Sequence, residues 1–235
     1  QSDYLINIGI KDSLNSAVLG ESREFYVDLP DSYVEGSDTK YPVVYILDGG
    51  VMLNAVHTVH SYYSGGFMPE MILIGIANAE NRTRDLTTSE LSERRGQEYH
   101  QENGGAEKFT KFIQSELIPF VEDKYPVTNY RTLIGQSYGG LFTVNMLLKH
   151  TDAFDNYLAI DSSMDWDKQK LLKESKTIFS EKSFKNKSLF MSLGGQLHMA
   201  DTSITIDNVM KDTTELTLFG RSNIEFSKCS FFIYI

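Results

Sequence analysis

The chain has almost no cysteine, no long apolar run and no excess of basic charge, and each shortfall removes a class of protein. Cys229 is the only cysteine among 235 residues. It cannot form an intramolecular disulfide, and no Cys or His stands beside it at metal-ligand spacing. No stretch reaches the roughly 18 consecutive apolar residues that a membrane-crossing helix needs. Formal net charge is -10, so neither nucleic acid nor an anionic membrane is the expected partner, because both call for basic surface. There is no internal repeat, no low-complexity tract and no linker-like segment, so one domain over 1–235 is the simplest organisation. The first residue is Gln1 rather than Met. A removed leader would account for that and points to a periplasmic or secreted protein, with the cytoplasm as the alternative.

What is present is enough apolar material for a large core: 41% hydrophobic residues, 12% of the chain aromatic. Ser22 to Pro30 alternates apolar and polar residues and predicts a half-buried strand. Pro42 to Asp48 (PVVYILD) and Met71 to Asn78 (MILIGIAN) are continuous apolar runs, as strands covered on both faces require. Ala79 to Asn103 is polar and reads as a long loop. Ala106 to Tyr125 carries Phe109, Phe112, Ile113, Leu117, Phe120 and Val121 at helical spacing, with a kink expected at Pro119. Arg131 to Gln136 predicts a strand, Gly139 to His150 a helix, Tyr157 to Asp161 and Ser188 to Leu193 two more strands. Helices are expected over Trp166 to Phe179 and Asp201 to Lys211. Glu215 to Ser227 is read as a last strand or hairpin. Strands alternating with helices imply a mostly parallel sheet with helices on both faces.

Gly135-Gln136-Ser137-Tyr138-Gly139 fits G-x-S-x-G, and its context gives it meaning. A nucleophile elbow needs a strand before the serine and a helix after it. Leu133-Ile134 and Leu141 to Lys149 supply both. The helix start turns free N–H groups toward any negative charge that develops at Ser137. The N–H of Tyr138 is one expected oxyanion donor, and Gly49 or Gly50, in the loop after the earlier strand, the other. No cofactor is called for, and no metal: His57 and His60 lie one turn apart but lack a carboxylate at ligand spacing.

Several segments together resemble the Putative esterase family of α/β-hydrolases, which includes siderophore esterases, S-formylglutathione hydrolases and feruloyl-type esterases. They are Tyr41 to Gly49 (YPVVYILDG), Pro69 to Ile76, Asn81 to Thr87 (NRTRDLT, an R-x-x-D-x-T pattern), Glu116 to Tyr125, the elbow at Arg131 to Gly140, and Ala159 to Trp166. The likeness runs from about Ser22 to Leu193 and is nearest to the siderophore esterases. It implies an α/β-hydrolase fold and an acyl-enzyme formed on Ser137 from a small-molecule ester. It also implies a substrate-contacting role for Arg82, whose alternative is a surface ion pair with Asp85 or Glu80.

The triad of this fold runs serine, acid, histidine, and here the pattern breaks. Downstream of Ser137 only His150 and His198 occur. His150 ends the elbow helix and reads as a C-terminal cap. His198 stands where the acid belongs, with Asp201 as the nearest acid candidate. The last residues, Lys228 to Ile235, are apolar rather than catalytic in character. A chain cut short or frame-shifted near Ser227, lacking its base and the fold's final helix, is the favoured reading; recruitment of His198 is the other. Loss of the base would cost on the order of 10⁴ to 10⁶ in kcat. An impaired esterase is therefore the first expectation, a catalytically inactive ligand-binding relative the second, and an acyltransferase the third. The apolar tail would favour self-association.

Overall fold

The computed structural model describes residues 8–78, 80–94, 96–194 and 203–229. Its centre is a seven-stranded sheet in the order β1-β2-β4-β3-β7-β8-β9. The strands are β1 (Ile10–Ser16), β2 (Glu21–Asp28), β3 (Tyr41–Ile46), β4 (Ile72–Ile76), β7 (Val127–Gln136), β8 (Asn156–Ile160) and β9 (Ser188–Ser192). β1 and β2 are antiparallel to their neighbours, while β4, β3, β7, β8 and β9 run parallel. A separate two-residue hairpin pairs β5 (Glu93–Arg94) with β6 (Gln97–Glu98).

The expected two-faced burial of β3 and β4 holds. Along β3, Val43 and Tyr45 enter the larger core, whereas Val44 and Ile46 enter a smaller one on the opposite face. Side chains alternate along a strand, so a continuous apolar run is what a sheet covered on both faces needs. The smaller core is closed by α1 (Gly49–Tyr63) through Leu53. The larger is closed by α3 (Ala106–Phe112), α4 (Ile118–Lys124), α5 (Tyr138–Lys149) and α6 (Trp166–Glu181). α5 is buried from Gly139 to Leu148, as befits a helix wedged between the sheet and other helices.

Several elements differ from expectation, each for a local reason. Between α3 and α4 the backbone opens into a π turn, Ile113–Leu117. Pro119 lies at the start of α4 and has no N–H to donate back, so the ladder widens there instead of bending sharply. The polar stretch after β4 is not structureless. It holds α2 (Arg82–Leu86) and the β5–β6 hairpin. The segment read as a last strand or hairpin is a helix, α8 (Leu218–Cys229), preceded by the short α7 (Ile206–Lys211). Gly220, Asn223 and Phe226 are buried on α8 at a spacing of three residues. Phe226 meets Phe179 of α6 with ring centroids 5.8 Å apart. The i, i+2 pair Ile224 and Phe226 imitates a strand, but the buried face follows the helical period. β1 was not foreseen; it is largely exposed, with little apolar signal.

Candidate active site

The chain leaves β3 toward β4 on one side and leaves β7 toward β8 and β9 on the other. The order reverses between β3 and β7, and in open α/β sheets ligands bind at the strand ends beside such a reversal. The two strands are in register, Ile46 opposite Ile134, and Leu47 N–H donates to the Ile134 carbonyl at 2.9 Å. The helices that leave them, α1 and α5, therefore begin side by side. Each starts from a non-glycine residue of positive φ: Asp48 (φ 54) before α1 and Ser137 (φ 59) before α5. Ser137 (ψ -113) sits in backbone space that side chains avoid, a strain of about 1–3 kcal/mol of the kind that collects at functional sites.

This turn requires Gly135. A Cβ there would lie 2.2 Å from the Gly139 carbonyl oxygen and 2.7 Å from Thr143 Oγ1. Neither the strand nor the helix can yield without opening the elbow. Gly135→Ala is expected to cost about 3 kcal/mol, the upper end for overpacking, read as a lower denaturation midpoint. Gly49 has the same function under α1, where a Cβ would fall 2.3 Å from the backbone of Gly75.

The first-turn N–H groups of Tyr138 on α5 and of Gly49 and Gly50 on α1 occupy helix positions that lack intrahelical acceptors. Both expected oxyanion donors thus lie at adjoining helix starts. The Ser137 main chain is fixed by bonds from its N–H to the Ile160 carbonyl (2.9 Å) and from Ser163 N–H to its own carbonyl (3.0 Å). Its Oγ lies 3.3 Å from Ser163 Oγ. His198 and Asp201 lie outside the described residues. The other histidines have partners elsewhere: His57 with Asp28 at 2.7 Å, His60 accepting from Met71 N–H at 3.0 Å, His150 with Glu107 at 3.2 Å and His100 with Glu98 at 3.4 Å. Burial lowers the pKa of His60, in keeping with its acceptor role. His150 also caps α5, as expected, through its N–H to the Met146 carbonyl. The carboxylate beside His57 comes from β2, out of reach of any spacing argument, and among the described residues no cluster suits a metal.

Arg82 pairs with neither Asp85 nor Glu80. Its Nε and Nη2 clasp the Asp48 carboxylate at 2.8 and 2.9 Å, and Nη2 also donates to the Gln136 carbonyl at 3.1 Å. Its helix, α2, is five residues long and has no stability of its own. It is held by ion pairs: Arg82 to Asp48 on one side, Arg84 to Glu21 at 2.7 Å and Arg23 to buried Asp85 on the other. The R-x-x-D spacing is thus that of one helical turn pinned from both ends.

Four further residues escaped sequence reasoning. Arg94, from β5, donates to the Tyr138 hydroxyl, stacks over the rings of Tyr138 and Trp166 at 5.2 and 5.1 Å, and pairs with Asp165 at 3.6 Å. Tyr99 meets the edge of Trp166. Burial pushes the Tyr138 hydroxyl up to about 12, so it stays a neutral phenol. Beyond Arg94 opens a groove of about 720 Å³, lined by Glu90, Arg94, Asp165, Lys168, Lys173 and Glu215 among others. Asp167, Lys168 and Gln169 form its wall in three successive left-handed conformations. No motif marks them.

Known proteins resemble this chain in family and in fold. The model of the Putative esterase family matches residues 16–202. The chain is 31% identical over 227 residues to ferri-bacillibactin esterase of Bacillus subtilis, covering 90% of this chain and 78% of that one. It is 29% identical over 155 residues to siderophore triacetylfusarinine C esterase of Aspergillus fumigatus, covering 60% of this chain and 50% of that one. Among solved structures, an IroE-like serine hydrolase from Shewanella oneidensis superposes with a TM-score of 0.76 at 28% identity, covering 94% of this chain and 78% of the other.

Proposed function

The chain belongs to the Putative esterase family, and from that membership we propose that it cleaves carboxylic esters through an acyl-enzyme on Ser137, with a siderophore-type ester as substrate. The observation that carries this reading is the pair of helix starts converging beside one strained serine. Ser137 Oγ attacks the ester carbonyl carbon and gives up its proton to a general base; of the two histidines after the serine in this sequence His150 is paired with Glu107, so any turnover drawn from this chain makes His198, rather than a missing residue, the candidate. The carbonyl electron pair becomes an oxyanion held by the N–H groups of Tyr138 and of Gly49 or Gly50. Each such donor contributes typically about 3 kcal/mol to the transition state. Collapse expels the alcohol, and water then releases the acid and restores the serine hydroxyl. The groove beside Arg94 is the candidate seat for the remainder of the ester, because Arg94, which lines it, also donates to the hydroxyl of Tyr138, the residue after the serine. Its mixed charges suit a polar, multiply hydrogen-bonding substrate better than a lipid.

Turnover of a catecholate trilactone and of p-nitrophenyl acetate tests both parts. The trilactone is expected to have the higher kcat/KM; a preference for the simple ester at equal exposure would refute the substrate assignment. His198→Ala is expected to lower kcat on both by at least 100-fold. Unchanged turnover would exclude that residue as the base.

A further inference from the structure

Asp48 is the N-cap residue of α1, and an aspartate there ordinarily accepts from the helix's own first-turn N–H groups. Here its carboxylate caps nothing. Both oxygens are taken by Arg82, which reaches across from α2 and also donates to the carbonyl of Gln136, the residue before the serine. Asn78 fixes the same residue from a third direction, accepting from Asp48 N–H at 3.0 Å. The free N–H of Gly50, the second residue of the helix and so within reach of an N-cap side chain, is one of those assigned to the oxyanion, and the Asp48 side chain is therefore a built-in competitor for it. A carboxylate in that position would fill the acceptor site with negative charge where the reaction must develop negative charge.

We propose that Arg82 is a positioning residue that holds the Asp48 carboxylate out of the oxyanion hole. The proposal rests on the assignment of Ser137 and the two helix starts. A guanidinium is suited to the task because its planar fork engages both carboxylate oxygens while a remaining N–H reaches a carbonyl. Lysine offers a point charge and no fork. The Tyr138 ring under the guanidinium, 5.3 Å from its carbon, limits how far it can swing.

The test compares wild type, Arg82→Ala, Arg82→Lys, Asp48→Gly and the double variant Arg82→Ala/Asp48→Gly. Glycine suits position 48 because φ there is 54. Each protein is assayed for p-nitrophenyl acetate hydrolysis, for labelling of the serine by a fluorophosphonate, and for binding of a boronic acid that forms a tetrahedral adduct. Arg82→Ala is expected to lower kcat and the labelling rate by about 10- to 100-fold, short of the roughly 10² to 10³ that outright loss of one oxyanion donor costs, with KM changed less than about twofold. Boronate affinity falls in step. Arg82→Lys is expected to recover only part of the loss. In the double variant, removal of the freed carboxylate is expected to bring kcat back to within about fivefold of wild type, a rescue that no merely structural role of Arg82 would produce.

A double variant no faster than Arg82→Ala overturns the proposal. So does an Arg82→Ala whose loss lies wholly in KM, which would make Arg82 a substrate contact. Failure of the underlying assignment looks different: wild type would escape labelling at Ser137, or Ser137→Ala would still be labelled, whatever stands at position 82.

Discussion

Ser137→Ala is expected to abolish fluorophosphonate labelling and to reduce ester turnover by on the order of 10⁴ to 10⁶. The melting temperature should stay unchanged, because alanine keeps the Cβ and with it the backbone geometry at φ 59. That separates loss of chemistry from loss of structure. The size of the effect carries a second piece of information. A serine and its base act as a unit, so removing either costs nearly as much as removing both. If an imidazole works with Ser137, the fall is of the full size. A fall below about tenfold would mean that wild-type turnover never drew on an activated serine, and the acyl-enzyme reading would fail. Active-site titration with the same probe checks this directly, since it counts competent serines rather than rates.

The parts of this site that the sequence discloses are those where a single backbone requirement selects a residue type. Gly135 is needed because no Cβ fits against Gly139, and Gly49 because none fits against Gly75. β3 and β4 announce themselves because burial on both faces permits only apolar residues. Recognition weakens where the constraint is satisfied across the sheet. Nothing local tells that Asp48 and Arg82, 34 residues apart, form a fork. Sequence proximity offers Asp85 or Glu80 as the ion-pair alternative to a substrate contact for Arg82, yet the α2 turn faces Arg82 and Asp85 in opposite directions. The same holds for Arg94, which reaches Tyr138 from a two-residue strand in a stretch without periodicity. α8 shows the opposite failure. Two apolar residues at strand spacing outweighed a helical face made partly of Gly220 and Asn223, which hydropathy does not register.

The fork also joins stability to catalysis, and this leads to the second large effect. Asp85 and Arg23 are both almost wholly buried, and their ion pair joins α2 to β2. Burial pushes the Asp85 carboxyl above its usual range, against the pull of Arg23 and Arg84. The site is therefore costly to charge and more costly to leave half-charged. Asp85→Ala removes one partner and leaves the buried Arg23 guanidinium with Glu21, at 2.6 Å, as its remaining carboxylate among the described residues. Breaking a buried pair in this way destabilises by about 3–5 kcal/mol, which chemical denaturation would read directly. Glu21 itself is held below the usual carboxylate range by Arg84 first, with Arg23 adding to it. Its stabilisation is therefore present above its unfolded value of 4.5 and lost as pH falls through the lower folded value. The destabilised variant should accordingly unfold at a milder acidity than wild type. Because α2 carries Arg82 one turn away, Asp85→Ala is also expected to lower kcat at temperatures where the chain is still folded. Arg23→Met/Asp85→Leu supplies the control. It replaces the buried pair with apolar side chains of similar bulk, a change that is often neutral or stabilising. It should restore the denaturation midpoint and, if anchoring α2 is all that the pair does for catalysis, restore kcat with it. Recovery of stability without recovery of kcat would mean that the charges at 23 and 85 act on the site directly, and the anchoring explanation would be wrong.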